Sequence, residues 1–361
     1  MFEKVKIKSL KYKTSELPSE AINKYSLPAL TAGIQNQGLN NYVPKDNATI
    51  LKNVISISAN GANTGATFYQ NKEFTVLQDA YAIKWNLTSN SLTDNQYIFF
   101  CSAISKTIFG NFEWTNKAGW EKIKVETIQL PTKNGEIDFK FMESIIIELE
   151  TERISKLEAY LEASGLKDYT LTVEEEQVLH DFDSDKIELK EFQIDTLFDV
   201  SPSKAYKMND ANILTENGKT PYVSNQSQNN GYIGWSNLPP LNPSNVITLS
   251  DTWQSERTIF YQPTKFIGKS HLQVMKAFDK RLKKFELFFV ISSFRKAITE
   301  LNYDYGTKFN RTKINATKIQ LPTKNNQLDY ELMDTLISAI QKLVIKDVVL
   351  YTNKKSSNLK V

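Results

Sequence analysis

Asn217-Gly218-Lys219-Thr220 has the ending of a phosphate-cradling loop, in which backbone N–H groups and a lysine hold a nucleotide. That loop also needs a glycine five residues before Gly218, and the chain has Ile213 there. Asn60-Gly61-Ala62-Asn63-Thr64-Gly65 is rich in glycine but lacks the G-x-G-x-x-G spacing and the strand–helix setting of a dinucleotide site. Asn237-Leu238-Pro239-Pro240 approaches the Asn-Pro-Pro-aromatic motif of amino-methyltransferases, with its residues in the wrong order. His180 and His271 stand near no nucleophile motif. Together with Cys101, the only cysteine, they fall short of the four ligands a structural zinc takes. The expectation is a chain without metal or cofactor of its own, non-catalytic by itself.

Side chains suited to recognition are more plentiful. Asn and Gln pair with adenine edges, Arg and Lys with guanine, and Ser and Thr adapt to either. Loops with this composition hold Gln35 and Asn36, then Asn60, Asn63 and Thr64, then Gln226, Gln228 and Asn229, and finally Gln254 and Arg257. Lys72, Lys117, Lys122, Lys265, Lys308, Arg311 and Lys313 are candidates for phosphate contacts, which fix register and affinity. The net charge of +3 conceals a segregation of charge. Residues 136–200 carry 19 acids against 6 bases, or −13, and residues 263–318 carry 13 bases against 4 acids, or +9. The excess of cations therefore lies inside the domains that hold the polar loops, as a polyanion binder requires. A single lysine on a helix is by default only solvated.

The elements that position these loops come in duplicate. Ile128-Gln129-Leu130-Pro131-Thr132-Lys133-Asn134 returns letter for letter at 319–325, an offset of 191. Asn53-Val54-Ile55 recurs at 245–247 and Phe68-Tyr69-Gln70 at 260–262, both at an offset of 192. Self-similarity at so long a period means two copies of one domain. Alternating or β-branched runs at 54–58, 74–77 and 81–85 read as strands, and the apolar segments 97–109 and 285–298 as buried helices. After each copy of the repeated heptad, Asp138 or Asp329 stands where a helix N-cap belongs. Apolar residues then keep helical spacing: Met142, Ile145, Leu149, Ile154, Leu157 and Leu161 in one helix, Met333, Leu336, Ile340 and Leu343 in the other. The stripes lead us to expect that the two helices pair as an antiparallel coiled coil and space the domains apart; the alternative is that each packs on its own domain. The expected order is a domain at 1–134, a helix at 135–164, an acidic helical connector at 165–191, a domain at 192–325, a helix at 326–350 and a polar tail at 351–361. The fold class is α+β. With no apolar signal core and no run of about 18 apolar residues, the chain reads as cytoplasmic and not bound to membrane.

This pattern resembles the DNA-specificity subunit of a type I, or type IIB-like, restriction–modification system, over nearly all of the chain. The resemblance rests on Leu197-Phe198-Asp199-Val200, Pro221-Tyr222-Val223, Asn229-Asn230-Gly231, Asn245-Val246-Ile247-Thr248-Leu249, Phe260-Tyr261-Gln262 and Ile319-Gln320-Leu321-Pro322 followed by a helix. It implies two target recognition domains, each reading half of a split, asymmetric site in double-stranded DNA, spaced by paired helices. It also implies partners: two methyltransferase subunits, or a fused nuclease–methyltransferase, docked on the helices, and a motor-nuclease subunit. S-adenosylmethionine would belong to the methyltransferase partner. The opening at 5–18 departs from the family, lacking the Leu-Phe-Asp signature of the first strand. Rival readings are a tandem carbohydrate-binding or adhesion protein with platforms at Trp114, Trp120, Trp235 and Trp253, and a decoy that occupies a methyltransferase through the helices alone.

Overall fold

The computed structural model describes residues 1–252, 255–300 and 309–359. They divide into two compact units, Met1–Ala159 together with the chain from Thr352, and Tyr160–Tyr351. The first copy contains β1 (Phe2–Lys4), β2 (Tyr25–Leu30), β3 (Leu39–Pro44), β4 (Val54–Ser58), β5 (Thr67–Gln70), β6 (Thr75–Val76) and β7 (Ala80–Trp85). Then come α1 (Asp94–Ile108), the single turn α2 (Trp120–Ile123), the small hairpin β8 (Thr132–Lys133) and β9 (Glu136–Ile137), and the long α3 (Phe139–Ala163). Strands β1, β7, β4 and β5 form an antiparallel sheet in that order, and β3, β2 and β6 a second one with β2 parallel to β6.

The second unit contains α4 (Val173–Asp183), β10 (Leu189–Gln193), α5 (Ile194–Leu197), β11 (Phe198–Pro202), α6 (Asp210–Ile213), β12 (Thr220–Val223) and β13 (Tyr232–Ser236). It continues with β14 (Val246–Ser250), β15 (Phe260–Gln262), β16 (Ile267–Gly268), β17 (Leu272–Ala277), α7 (Lys284–Glu300), α8 (Arg311–Ala316), β18 (Lys318–Lys324), β19 (Gln327–Leu328) and α9 (Tyr330–Leu359), whose residues from Thr352 belong to the first unit. Two of its sheets repeat the first copy strand for strand, β11-β17-β14-β15 and β13-β12-β16; a third is β10-β18-β19. The register repeats too: Ile55 opposes Ile83 as Ile247 opposes Met275. The cause is visible in the sequence of β4 and β14. Alternate residues of a strand face opposite sides, so Ile55 and Ile57 pack under α1 as Ile247 and Leu249 pack under α7. Ser56 and Thr248 face away from those helices and are buried by polar partners.

Four expectations need correction. The first strand is Phe2–Lys4, ahead of the segment 5–18 where the missing signature was sought; Phe2 opposes Trp85 as Phe198 opposes Ala277. The connector ends earlier than 191, because Leu189–Gln193 is a strand paired with β18. The supposed polar tail is helix through Leu359: Lys355 forms an ion pair with Glu150, and the Ser356 hydroxyl donates to Glu158 at 2.5 Å. Those side chains give the last turns of α9 partners on α3, within one unit. Finally, the apolar stripes are not uniform seams. Met142 belongs to the core under α1, and Met333 and Leu336 to the core under α7, so each helix starts on its own domain. Ile154 and Leu161 are buried further along and Ile145 and Leu157 are half-buried, but Leu149, Ile340 and Leu343 face solvent, with Leu343 47% exposed.

The N-termini of both long helices are capped as the acids implied. The Phe141 N–H donates to Asp138 Oδ1 at 2.9 Å, and the Leu332 N–H donates to Asp329 Oδ1 at 3.0 Å. In the acidic connector, Thr172 and Glu175 form a reciprocal capping box at the start of α4. Glu175 also takes hydrogen bonds from Ser338 (2.7 Å) and Lys342 (2.9 Å) of α9. Burial pushes its carboxyl pKa up, but the bonds from Lys342, the Thr172 N–H and Ser338 outweigh that and hold it below the ordinary value. The described helices include none long and apolar enough to cross a membrane.

Candidate nucleic-acid interface

Each unit carries one polar tip built the same way. Between β2 and β3 the chain turns through Gln35–Gly38, and between β12 and β13 through Asn229–Gly231. Three successive residues in each turn take left-handed backbone angles: Asn36, Gln37 and Gly38 at φ 45°, 56° and 83°, and Asn229, Asn230 and Gly231 at 49°, 54° and 78°. Such angles cost most side chains steric strain; glycine is free of it and asparagine tolerates it. A Cβ on Gly38 would lie 2.6 Å from Leu30 Cδ1 and 2.9 Å from the Thr31 carbonyl, so this position needs glycine twice over.

A buried glutamine pins each turn from behind. Gln70 Nε2 donates to Ser56 Oγ (3.0 Å) and to the Gln37 carbonyl (3.3 Å). Gln262 Nε2 donates to Thr248 Oγ1 (2.9 Å) and to the Asn230 carbonyl (3.2 Å). In the second unit, Asn230 Nδ2 adds a bond to the Tyr261 carbonyl at 3.0 Å. The amide tips left in solvent are Gln35, Asn36 and Gln37 in one unit, Gln228 and Asn229 in the other. The clamping role of Gln70 and Gln262 was missed from sequence, although the signal existed. A glutamine kept in both copies, in the middle of an apolar strand pattern, is out of place unless a buried partner needs it.

Several expected reading residues are instead part of the scaffold. Thr64 is 1% exposed and its hydroxyl accepts the Ala118 N–H at 2.9 Å, so it faces protein. Asn60 Nδ2 donates to Asp79 Oδ1 at 2.8 Å while its Oδ1 accepts the Gly61 N–H; the half-buried Asn63 closes the same turn through its backbone carbonyl, which accepts the Ala66 N–H. Gln226 Nε2 donates to the Tyr232 carbonyl at 2.6 Å. The side chains of Thr64, Asn60 and Gln226 thus each bond a backbone N–H or C=O, groups that need a partner when buried.

The cations are better placed. Lys72, Lys265 and Arg311 are exposed, Arg311 opening α8. Exposed Lys117 lies over the Trp114 ring at 5.7 Å, and Lys122 Nζ donates to Asn116 Oδ1 at 2.7 Å. Arg257 is exposed beside Glu256, at 3.6 Å. Lys313 is half-buried, its N–H bonded to the Asn310 cap at 3.1 Å. Gln254 and Lys308 lie outside the described residues, as does Trp253. Of the other tryptophans, Trp120 packs edge-on to Tyr81 at 6.2 Å and so belongs to the core; Trp114 and Trp235 are exposed.

Burial pushes the Cys101 thiol well above the ordinary range, which keeps it protonated and inert. Among the described residues, no three His, Cys, Asp or Glu side chains converge as metal ligands.

The type I restriction modification DNA specificity domain is the family whose model matches this sequence, over residues 1–159 and again over 186–350. The chain belongs to that family. It is a tandem of two target recognition domains, and DNA recognition is the function that follows from the family. The crystal structure of a type I restriction–modification system S subunit from M. genitalium has a similar fold, with a TM-score of 0.58 at 14% identity, covering 100% of this chain and 93% of that one. The HsdS subunit from Thermoanaerobacter tengcongensis aligns with a TM-score of 0.32 at 11% identity, covering 87% of this chain and 80% of that chain. No curated protein matches the sequence.

Proposed function

We propose that the two specificity domains each read one half of a split, asymmetric site in double-stranded DNA. The observation that carries this reading is the pinned polar tip. The same clamp, Gln70 or Gln262, supports a turn whose exposed amides differ between the units. Repeated scaffold with diverged tips is what recognition of two different half-sites needs. Amides held on a rigid turn lose little entropy when they meet an adenine edge. Lys72, Lys117, Lys122, Lys265, Arg257, Arg311 and Lys313 then serve as phosphate contacts that fix register.

In this proposal α3 and α9 pair antiparallel as a spacer and dock the methyltransferase subunits, which bring S-adenosylmethionine; the motor-nuclease subunit joins that assembly. Exposed apolar side chains on both helices, among them Ile147, Leu149, Leu343 and Val344, offer surface for such docking. The test is a deletion of four residues from α3, between 142 and 161. About 6 Å of helix is removed, so the separation of half-sites in a map of methylated adenines shifts by about two base pairs. An unchanged separation would overturn the spacer role.

A further inference from the structure

Helices α1 and α7 match at an offset of 190. Tyr97, Phe100, Cys101, Ile104 and Ile108 are buried in one copy, as Leu287, Val290, Ile291, Phe294 and Ile298 are in the other. One position beside these cores differs in charge: Ser105 of α1 corresponds to Arg295 of α7. Arg295 is half-buried, and its Nη2 donates to the Ile259 carbonyl at 2.5 Å. Its guanidinium lies over the Phe260 ring, 5.8 Å from the centroid. That ring reaches the polar tip, because a Cβ on Gly231 would lie 3.6 Å from Phe260 Cδ2. In the first unit the corresponding place is an open groove of about 520 Å³, lined by Ser105, Phe68 and the tip residue Gln37.

Burial lowers the Arg295 pKa, and among the described residues no carboxylate stands beside it to oppose that shift. Its Nε is buried without a partner. A charge taken out of water without a counter-charge is costly. The free edge of the guanidinium is therefore set for an acceptor from outside the chain. Comparison of the copies narrows what that acceptor is. The phosphate candidates Lys117 and Lys122 keep their charge at the matching positions, Lys308 and Lys313. A phosphate backbone is the same under either unit, so such contacts are retained. Arg295 has a neutral counterpart, so its charge serves something that only the second unit meets.

We propose that Arg295 reads a guanine in the half-site of the second unit, donating to its O6 and N7 while Ile259 and Phe260 hold the guanidinium in place. This rests on the reading of that unit as a DNA recognition domain. Arginine on those two acceptors is the commonest base-specific contact of the major groove. The ring beneath it and the bond to the Ile259 carbonyl restrict the guanidinium before DNA arrives, which reduces the entropy lost on binding. Ser105 leaves the first unit without this preference.

The experiment selects bound duplexes from a random pool with the full chain and sequences them. One half-site should show a guanine that Arg295→Ala no longer selects, with a loss of roughly 5- to 150-fold in discrimination at that position alone. Arg295→Gln should select adenine there in place of guanine, a change that a merely structural role would not produce. An unchanged guanine preference in either variant overturns the proposal. So does equal weakening on all sequences with a salt slope lower by about 1, which marks a phosphate contact. Loss of preference across both half-sites overturns it as well, since Arg295 would then only brace the fold. If the original chain enriches no sequence, the recognition reading itself fails, and the proposal with it.

Discussion

Replacing Gln262 by leucine removes the clamp while nearly conserving volume. Two hydrogen bonds vanish from a side chain that is 0% exposed, leaving Thr248 Oγ1 and the Asn230 carbonyl without their donor. A typical bond contributes about 1 kcal/mol net, and a stranded buried acceptor costs about 1–3 kcal/mol. Part of this is offset, because Gln262 Oε1 is itself buried without a partner and leaves with the amide. A local loss of about 1–3 kcal/mol is therefore expected for Gln262→Leu. It should appear where the tip closes, at Gly231, whose N–H donates to the Gln228 carbonyl, and at Ser224, whose N–H donates to the Gly231 carbonyl at 2.8 Å. Hydrogen exchange at these two amides should accelerate roughly 5- to 150-fold, since each 1.4 kcal/mol is about a factor of ten. The amides of Thr31 and Gly38 in the other unit should not change. On DNA, recognition of the half-site read by the second unit should weaken while the other half is still read. Unchanged exchange at Gly231 and Ser224 would refute the clamp. Faster exchange with unaltered recognition of both half-sites would remove the tip from the reading surface.

Thr64→Val keeps shape but strands the buried Ala118 N–H, and should destabilise the first unit by about 1–3 kcal/mol in denaturant titration without changing the DNA sequence preferred; a changed preference would return Thr64 to the interface. Lys117→Ala should lower the slope of log affinity against log salt by about 1 for any duplex, as loss of one phosphate contact does; an unaltered slope would exclude that contact. The Glu175 carboxyl is held below its ordinary value of 4.5 in the folded chain, so its contribution to holding α4 on α9 is full above 4.5 and declines as pH falls through the depressed folded value. Exchange at the α4 amides should therefore rise in acid, and Glu175→Gln should remove that acid step; the same step in the variant would mean that another group causes it.

The amino-acid order alone determined the duplication, the pairing of a domain with each long helix, the Asp caps and the sheet strands, because periodicity and capping are local and written in neighbouring letters. It also marked the clamp, since identical Phe-Tyr-Gln triplets survive in both copies. Sequence could not say which of the amides and hydroxyls reach solvent. Asn60, Thr64 and Gln226 have the same donors and acceptors as Gln35, Asn36 and Asn229, and a base edge and a backbone group ask for the same chemistry. Whether a side chain is free to read depends on a partner far along the chain, as with Thr64 and Ala118, 54 residues apart. The helical stripes were equally ambiguous: spacing places Met142 and Leu149 on one face, and only the packing buries one and exposes the other. The repeated heptad is the clearest case. Its letters are identical at 128–134 and 319–325, yet Ile319 and Leu321 are buried and Ile128 and Leu130 only half-buried, because burial depends on residues outside the motif.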